Sequence, residues 1–335
     1  MSKKLMIFGP WCGEFCYELS WWIPEIRKMR NTEFEDYDAI AIGYDGRKVL
    51  YEDFTEGYIP YTPEIEDTLL YPATYGQHNG HADVIPENLK NFVADIANGY
   101  KAKGYEDIKA WYPGTMPLTR ERVFDEEPFG EFKHYTSSPE ILNSVKEEIK
   151  FDNDRDTIAI MARIRQRAGN VCKLDWNPNH WETFVDMLVN ELKVNVVMIG
   201  IPRAEGSSAG GALSLDDTEM YQKNKDYIRP IVFSGKDSVE RQIALLQSTK
   251  CSIYGASGTA VFPFFIKDAA TFTQQTVEEG FRLKWKWERN LTNNLKNVKV
   301  FDKYKNFDIF ESSPKELYEE FKEFYNNIEK GICYE

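Results

Sequence analysis

Short apolar runs bounded by glycine, proline and charged residues recur along this chain and mark its clearest elements. The first is Leu5-Met6-Ile7-Phe8, and the most continuous spans 195–200 (Asn-Val-Val-Met-Ile-Gly). A run with no polar alternation predicts a strand covered on both faces. On this basis strands are expected at 5–8, 39–43, 157–162, 195–200, 230–233, 251–254 and 270–274. Helical periodicity predicts helices at about 17–29, 88–103, 139–150, 181–192, 238–248, 259–266 and 314–328, with Asn179 as a cap for the helix at 181–192. The stretch 51–75, dense in Tyr, Pro and acidic residues, reads as long loops with short helices, and 111–114 (Trp-Tyr-Pro-Gly) as a turn with exposed aromatics. A β-loop-α-β opening followed by strict β/α alternation beyond 157 implies parallel sheets with helices on both faces, an α/β fold.

The chain has 335 residues, which suits two domains of about 150 residues each better than one core. The polar bridge 151–156 (Phe-Asp-Asn-Asp-Arg-Asp) is the expected linker, giving domains at 1–150 and 157–312 and a closing helix within 313–335. A mean hydropathy of −0.53 and the absence of any apolar run near twenty residues predict no membrane span. The apolar stretch 5–8 is too short for a secretory signal, so a cytoplasmic setting is expected. Five cysteines, an odd number in no zinc pattern, fit a reducing compartment, and four scattered histidines suggest no metal cluster. Net charge is −13, with 54 acidic against 41 basic residues, whereas proteins held to nucleic acid by surface charge are basic.

In parallel α/β sheets ligands bind beyond the carboxyl ends of strands, and three such loops carry suitable residues. Gly255-Ala256-Ser257-Gly258-Thr259-Ala260 follows the strand at 251–254 and opens a helix. Free amides at Ser257, Gly258 and Thr259, with the helix dipole, would favour a diphosphate; the bland alternative is a connecting turn. Arg163-Ile164-Arg165-Gln166-Arg167 follows the strand at 157–162. Alternating arginines at a strand end suit phosphate through their planar forks of donors, against the alternative of a solvated run. The first βα loop, 9–18, holds Gly13, Glu14 and Glu18 among aromatic side chains. A carboxylate in apolar surroundings has a raised pKa, as a general base needs, although both glutamates could simply favour the positive end of the next helix. Asp36-Tyr37-Asp38 and Asp152-Asn153-Asp154 match a metal-binding Asp-x-Asp pattern only superficially, because neither sits at the carboxyl end of a strand.

The succession Ser234-Gly235-Lys236-Asp237-Ser238, Ile243-Ala244-Leu245-Leu246, Cys251-Ser252-Ile253-Tyr254-Gly255 and Ser257-Gly258-Thr259-Ala260 resembles the donor half of the ADP-heptose:LPS heptosyltransferases and related GT-B enzymes, over roughly 157–275. The family has a histidine shortly after Ser-Gly; here Val261-Phe262 takes that place, so heptose is not implied. In the family an acidic residue of the first βα loop is the base: counting from the first strand gives Glu14, and counting back from Pro24 gives Glu18. The opening Gly-Pro-Trp-x-Gly-Glu-Phe-x-Tyr-Glu-Leu also looks like a motif of uncharacterised GT-B-like proteins of bacteria and their phages.

The resemblance implies two Rossmann-like domains facing a cleft, with the last helix packing back on the first. It also implies a metal-independent glycosyltransferase that moves a sugar, with inversion, from a nucleotide-diphosphate sugar to an acceptor hydroxyl. Ser234 and Gly235 would border the nucleoside, and Arg163, Arg165, Arg167, Ser257, Gly258 and Thr259 the diphosphate. The acceptor would be a glycan, a small molecule or, with the basic aromatic stretch 282–287 stacking bases, a hydroxylated DNA base. A sugar-nucleotide epimerase and a non-catalytic sugar-nucleotide-binding protein are the alternatives. Oligomeric state is not read from the sequence.

Overall fold

In the computed structural model, the described residues are 2–13, 15, 18–70, 85–113, 130–164, 166–167, 170–171, 176–200, 211–212, 218–255, 258–274, 298–301, 304–305, 309–310 and 312–329. The chain divides into two compact units, the first built on Met1–Lys133 and the second on His134–Ser234 together with most of the chain beyond it.

The first unit holds strands β1 (Lys3–Phe8), β2 (Asp38–Gly43), β3 (Gly57–Pro60) and β4 (Tyr105–Trp111) in one parallel sheet of order β3-β2-β1-β4. Leu5, Met6, Ile7 and Phe8 are all 0–1% exposed, as their unbroken apolar run requires of a central strand. Between β1 and β2 the chain makes a single π-helical turn, Glu18–Trp22, that runs directly into helix α1 (Ile23–Thr32). Pro24 sits in the first turn of α1, where its missing N–H costs no helical hydrogen bond. Helices α2 (Pro63–Leu70) and α3 (Glu87–Ala102) complete the described unit. Strand β3, in a stretch expected as loop, and β4, which was not expected, are short or half-exposed edge strands whose sequences carry no continuous apolar run.

The second unit begins with helix α4 (Pro139–Glu148), which therefore lies beyond the unit boundary rather than in the domain expected at 1–150. Its sheet contains β5 (Thr157–Met161), β6 (Asn195–Gly200), β7 (Ile228–Val232), β8 (Cys251–Tyr254), β9 (Thr271–Gln274) and β10 (Val298–Phe301). All six are parallel, in the order β7-β6-β5-β8-β9-β10. Helices α5 (Pro178–Asn190), α6 (Glu219–Asn224), α7 (Ser238–Ser248) and α8 (Pro314–Glu329) accompany it. Asn177, not Asn179, caps α5: its side chain accepts from the Asn179 amide at 2.9 Å, and Pro178 follows as the first helical residue. The helix expected at 259–266 is instead a 3₁₀ helix, Gly258–Phe265, with Pro263 inside it. Proline has no N–H and its ring obstructs the carbonyl four residues back, so the α form is disfavoured there.

The closing helix, expected to pack back on the first domain, lends its apolar face to the second unit. In α8, Leu317, Tyr318, Phe321, Phe324 and Tyr325 join the core of that unit with residues of β5, β6, β8, β9 and α5. Phe321 lies 5.6 Å from the Phe272 ring and 6.2 Å from that of Phe184. Tyr325 donates to Asp156 at 2.5 Å, and Lys250 pairs with the same carboxylate at 2.6 Å. The spacing i, i+1, i+4, i+7, i+8 makes one apolar stripe, and the adjacent sheet face buries it. Phe321→Ala is expected to lower the unfolding free energy of the second unit by about 3–5 kcal/mol, measured by chemical denaturation, with exposed Glu319→Ala as a near-neutral control.

Candidate functional site

Ligands of open parallel sheets bind where the strand order reverses, in the crevice beyond the carboxyl ends of the two strands that flank the reversal. In the first unit that point lies between β1 and β4, and in the second between β5 and β8. Each is flanked by a loop that the sequence singled out: 9–18 after β1, and 163–167 and 255–260 after β5 and β8.

At the first switch point, the Gly9 amide bonds to the Trp111 carbonyl at 3.0 Å and the Trp11 amide to that of Ile42 at 3.1 Å. Gly9 has φ +121°, and a Cβ there would meet the Ile42 oxygen at 2.5 Å, so only glycine lets the loop leave β1 this closely. Trp11, Trp21 and Trp22 then pack as core: each is at most 3% exposed, and Trp11 stacks on Trp22 with ring centroids 5.8 Å apart. Gly13 is half-buried at the following bend.

Glu18 opens the π turn and is 0% exposed. Its Oε2 accepts from Arg47 Nη1, and its Oε1 accepts from the Tyr51 hydroxyl at 2.5 Å. Both partners come from the segment after β2, so one carboxylate ties the first βα loop to the second. Tyr44 repeats the tie by donating to the Cys12 carbonyl at 3.2 Å, and Tyr61, from just beyond β3, donates to that of Trp11 at 2.7 Å. Burial raises the pKa of Glu18; Arg47 and Tyr51 oppose that rise but do not cancel it. Burial is the largest influence and opposes the Arg47 charge, yet Glu18 together with Tyr44, Tyr58 and Tyr51 outweighs it and holds the guanidinium above its usual range. The Tyr51 hydroxyl is pushed well up by burial and by the neighbouring carboxylate. Sequence reasoning picked out Glu18 but missed Arg47, Tyr44 and Tyr51; the signal available was the glycine-bracketed turn Gly43-Tyr44-Asp45-Gly46 directly beyond β2.

The second switch point brings two predicted segments together. The Gly255 amide, just past β8, bonds to the carbonyl of Met161 at the end of β5, at 2.9 Å. Arg163 and Arg167 do not lie on an open loop. They belong to short strand pieces, Arg163 paired with Ala212 and Arg167 with Asn170, both antiparallel. Gly258 and Thr259 open the 3₁₀ helix. Ser234 and Gly235 are exposed beyond edge strand β7, Gly235 at φ +78°. Glu14, Arg165, Ser257 and the stretch 282–287 lie outside the described residues.

A feature not foreseen lies beside the second segment. Tyr254 Oη, Thr273 Oγ1 and Gln274 Nε2, at the carboxyl ends of β8 and β9, are buried without a hydrogen-bond partner among the described residues. Tyr254 and Thr273 are register partners and so share one sheet face. Buried polar atoms left unpaired cost about 1–3 kcal/mol each, so this edge of the sheet has unmet hydrogen-bonding capacity.

Away from both points, Asp36 bonds to Lys4 at 2.5 Å and Asp38 accepts from Tyr105 at 2.6 Å, at the opposite, amino end of β2. Among the described residues no three His, Cys, Asp or Glu side chains are grouped as a metal site would need, and no helix is long and apolar enough to cross a membrane.

No protein-family model and no curated protein sequence matches the chain. Solved structures do. The ADP-heptose LPS heptosyltransferase II of E. coli superposes with a TM-score of 0.58 at 12% identity, over 97% of this chain and 99% of that one. A family 9 glycosyl transferase from Veillonella parvula gives 0.56 at 11%, over 97% and 98%. At such identities the likeness shows the fold: the chain has the GT-B fold of the heptosyltransferases, and its two parallel sheets agree with it.

The buried pair can be measured directly. Glu18→Gln and Arg47→Met are each expected to cost about 3–5 kcal/mol, because each leaves a buried partner uncompensated. The double variant should lose clearly less than the sum, as a double-mutant cycle in chemical denaturation would show. A carboxylate whose pKa is raised by folding binds more protons folded than unfolded. The unfolding free energy of the wild type minus that of Glu18→Gln should therefore fall as pH rises from 4.5 through the raised folded pKa, and level off above it.

Proposed function

We propose that the protein is a glycosyltransferase that transfers a sugar from a nucleotide-diphosphate donor to an acceptor hydroxyl, without needing a metal ion. The observation that carries this reading is the second switch point, where the ends of β5 and β8, which lead into the arginine segment and the glycine turn, are held together by the Gly255–Met161 hydrogen bond within a GT-B fold. Tyr254 Oη, Thr273 Oγ1 and Gln274 Nε2, without partners among the described residues, supply further hydrogen-bonding groups at the same edge.

In this reading Arg163, Arg165 and Arg167, with the amides of Ser257, Gly258 and Thr259, hold the diphosphate and take up its charge as it leaves. Ser234 and Gly235 border the nucleoside. The acceptor oxygen attacks the anomeric carbon as the bond to the diphosphate oxygen breaks, and its proton passes to a carboxylate of the first βα loop. We assign that base to Glu14. Glu18 has no exposed atom and both its oxygens are engaged by Arg47 and Tyr51, so it suits a supporting position better. Direct displacement gives inversion at the anomeric carbon. A glycan or small-molecule acceptor suits the net charge of −13 better than DNA does.

A ligand that binds only the folded state raises stability by about 2.7 kcal/mol at a hundred times its Kd. Thermal unfolding across a panel of nucleotides and nucleotide sugars should therefore show stabilisation by one nucleoside-diphosphate series, lost in Arg163→Ala. No shift with any member would sink the donor reading, and interconversion of the donor without an acceptor would turn it into an epimerase. Glu14→Gln should keep the donor-induced shift and reduce transfer about 10²–10⁴-fold, measured with whichever acceptor supports turnover.

A further inference from the structure

Arg47 is more than the counter-charge of Glu18. A guanidinium has five N–H donors, and among the described residues this one makes a single hydrogen bond, from Nη1 to Glu18 Oε2. The side chain is 16% exposed, against 0% for Glu18. Nε and Nη2 are not among the buried polar atoms left without partners, as Arg30 Nε is, so these unpaired donors reach solvent. The guanidinium carbon lies 4.2 Å from the Tyr44 ring centroid and 5.0 Å from that of Phe15. Glu18, Tyr44 and Phe15 thus fix the orientation of a cation whose remaining edge is open.

Nε and Nη2 form the side-on edge of arginine, where two parallel N–H bonds match the two oxygens of a carboxylate or phosphate. The same unit shows that edge in use. Arg27 holds Asp53 with these nitrogens, Nε to Oδ2 at 3.0 Å and Nη2 to Oδ1 at 3.3 Å. Asp53 fills the Nε–Nη2 edge of Arg27, whereas no carboxylate among the described residues meets that edge of Arg47. Arg47 also stands in the segment immediately beyond the carboxyl end of β2, on the ligand-binding edge of the sheet.

We propose that Arg47 is an oxyanion-binding residue of the first unit, whose Nε–Nη2 edge receives a carboxylate or phosphate group of a ligand. Glu18 is its positioning residue: it lies wholly behind the guanidinium, offsets part of the charge and leaves recognition to the geometry of the fork. A lysine, with a single ammonium point, would not reproduce that geometry. The proposal rests on Arg47 and its neighbours within the first unit and stands whether or not the donor reading does.

The test is a titration of the full-length, ¹⁵N-labelled protein with inorganic phosphate, and separately with acetate, at constant ionic strength. Arginine Nε–H resonances are the readout. The resonance missing from Arg47→Lys identifies Arg47; it should shift saturably in the wild type, and phosphate affinity should fall at least about tenfold in Arg47→Lys. A shift with both anions identifies a general oxyanion edge, and a shift with phosphate alone a phosphate ligand; either supports the proposal. Because Arg47→Lys alters the buried pair, the double variant Glu18→Gln/Arg47→Met removes both charges together, and with an unchanged circular dichroism spectrum it should also lose the binding. No saturable shift of the Arg47 resonance, or equal phosphate affinity in Arg47→Lys, overturns the proposal. Phosphate binding lost in Arg163→Ala but kept in Arg47→Lys also overturns it, while leaving the donor reading intact. Saturable Arg47 shifts in a protein that no nucleotide stabilises would do the reverse.

Discussion

A carboxylate with no contact to water governs the architecture of the first switch point. Isolated in an apolar interior, an ionised Glu18 would be prohibitively costly, so it persists only because Arg47 and Tyr51 face it from the next βα segment. The requirement runs both ways. The guanidinium needs the carboxylate, and the loop after β1 can keep its path only while the segment after β2 keeps its own. Tyr44 bonds to the Cys12 carbonyl in the same sense, so the two loops are joined at three points, and Tyr61, from beyond β3, adds a bond to the Trp11 carbonyl. Glu18 itself is 0% exposed, which strengthens the bonds it accepts.

The second unit solves a different problem. Its sheet is buried on both faces, and the strands themselves supply little beyond apolar surface and backbone pairing. The polar groups that do occur, Ser252 with Thr271 and Tyr254 with Thr273, form pairs on one face of β8 and β9. The first pair satisfies itself and the second, nearer the carboxyl end, is left wanting. Helix α8 covers the other face, where Phe321 and Phe324 meet Phe272.

The local demands on each residue decide how much of this was legible in the sequence. Strands β5, β6 and β8 were legible because a strand covered on both faces has to be apolar throughout. Strands β3, β4 and β10 escaped notice: β3 and β4 are half-exposed with mixed sequences, and β10 is four residues long at a sheet edge. The 3₁₀ form of 258–265 turns on Pro263, a residue that apolar periodicity does not register. Glu18 stood out because it is a carboxylate among aromatics, yet its partners lie 29 and 33 positions away and no local pattern announces them. The cap of α5 was misplaced by two residues, since Asn177 and Asn179 both precede the apolar stripe and only the position of Pro178 separates them. The switch points themselves depend on strand order, a long-range property that the βα alternation constrains without fixing.

The tie between Glu18, Arg47 and Tyr51 has a consequence for how such a protein can diversify. Loops at the carboxyl edge of a parallel sheet are ordinarily exchangeable parts, each free to vary on a constant frame. Here two of them share one buried charge, so neither can be replaced alone without stranding an ion in the interior. Positions 18, 47 and 51 therefore form a single heritable unit. Grafting a new first loop onto this scaffold, or borrowing this one for another, would require moving all three together.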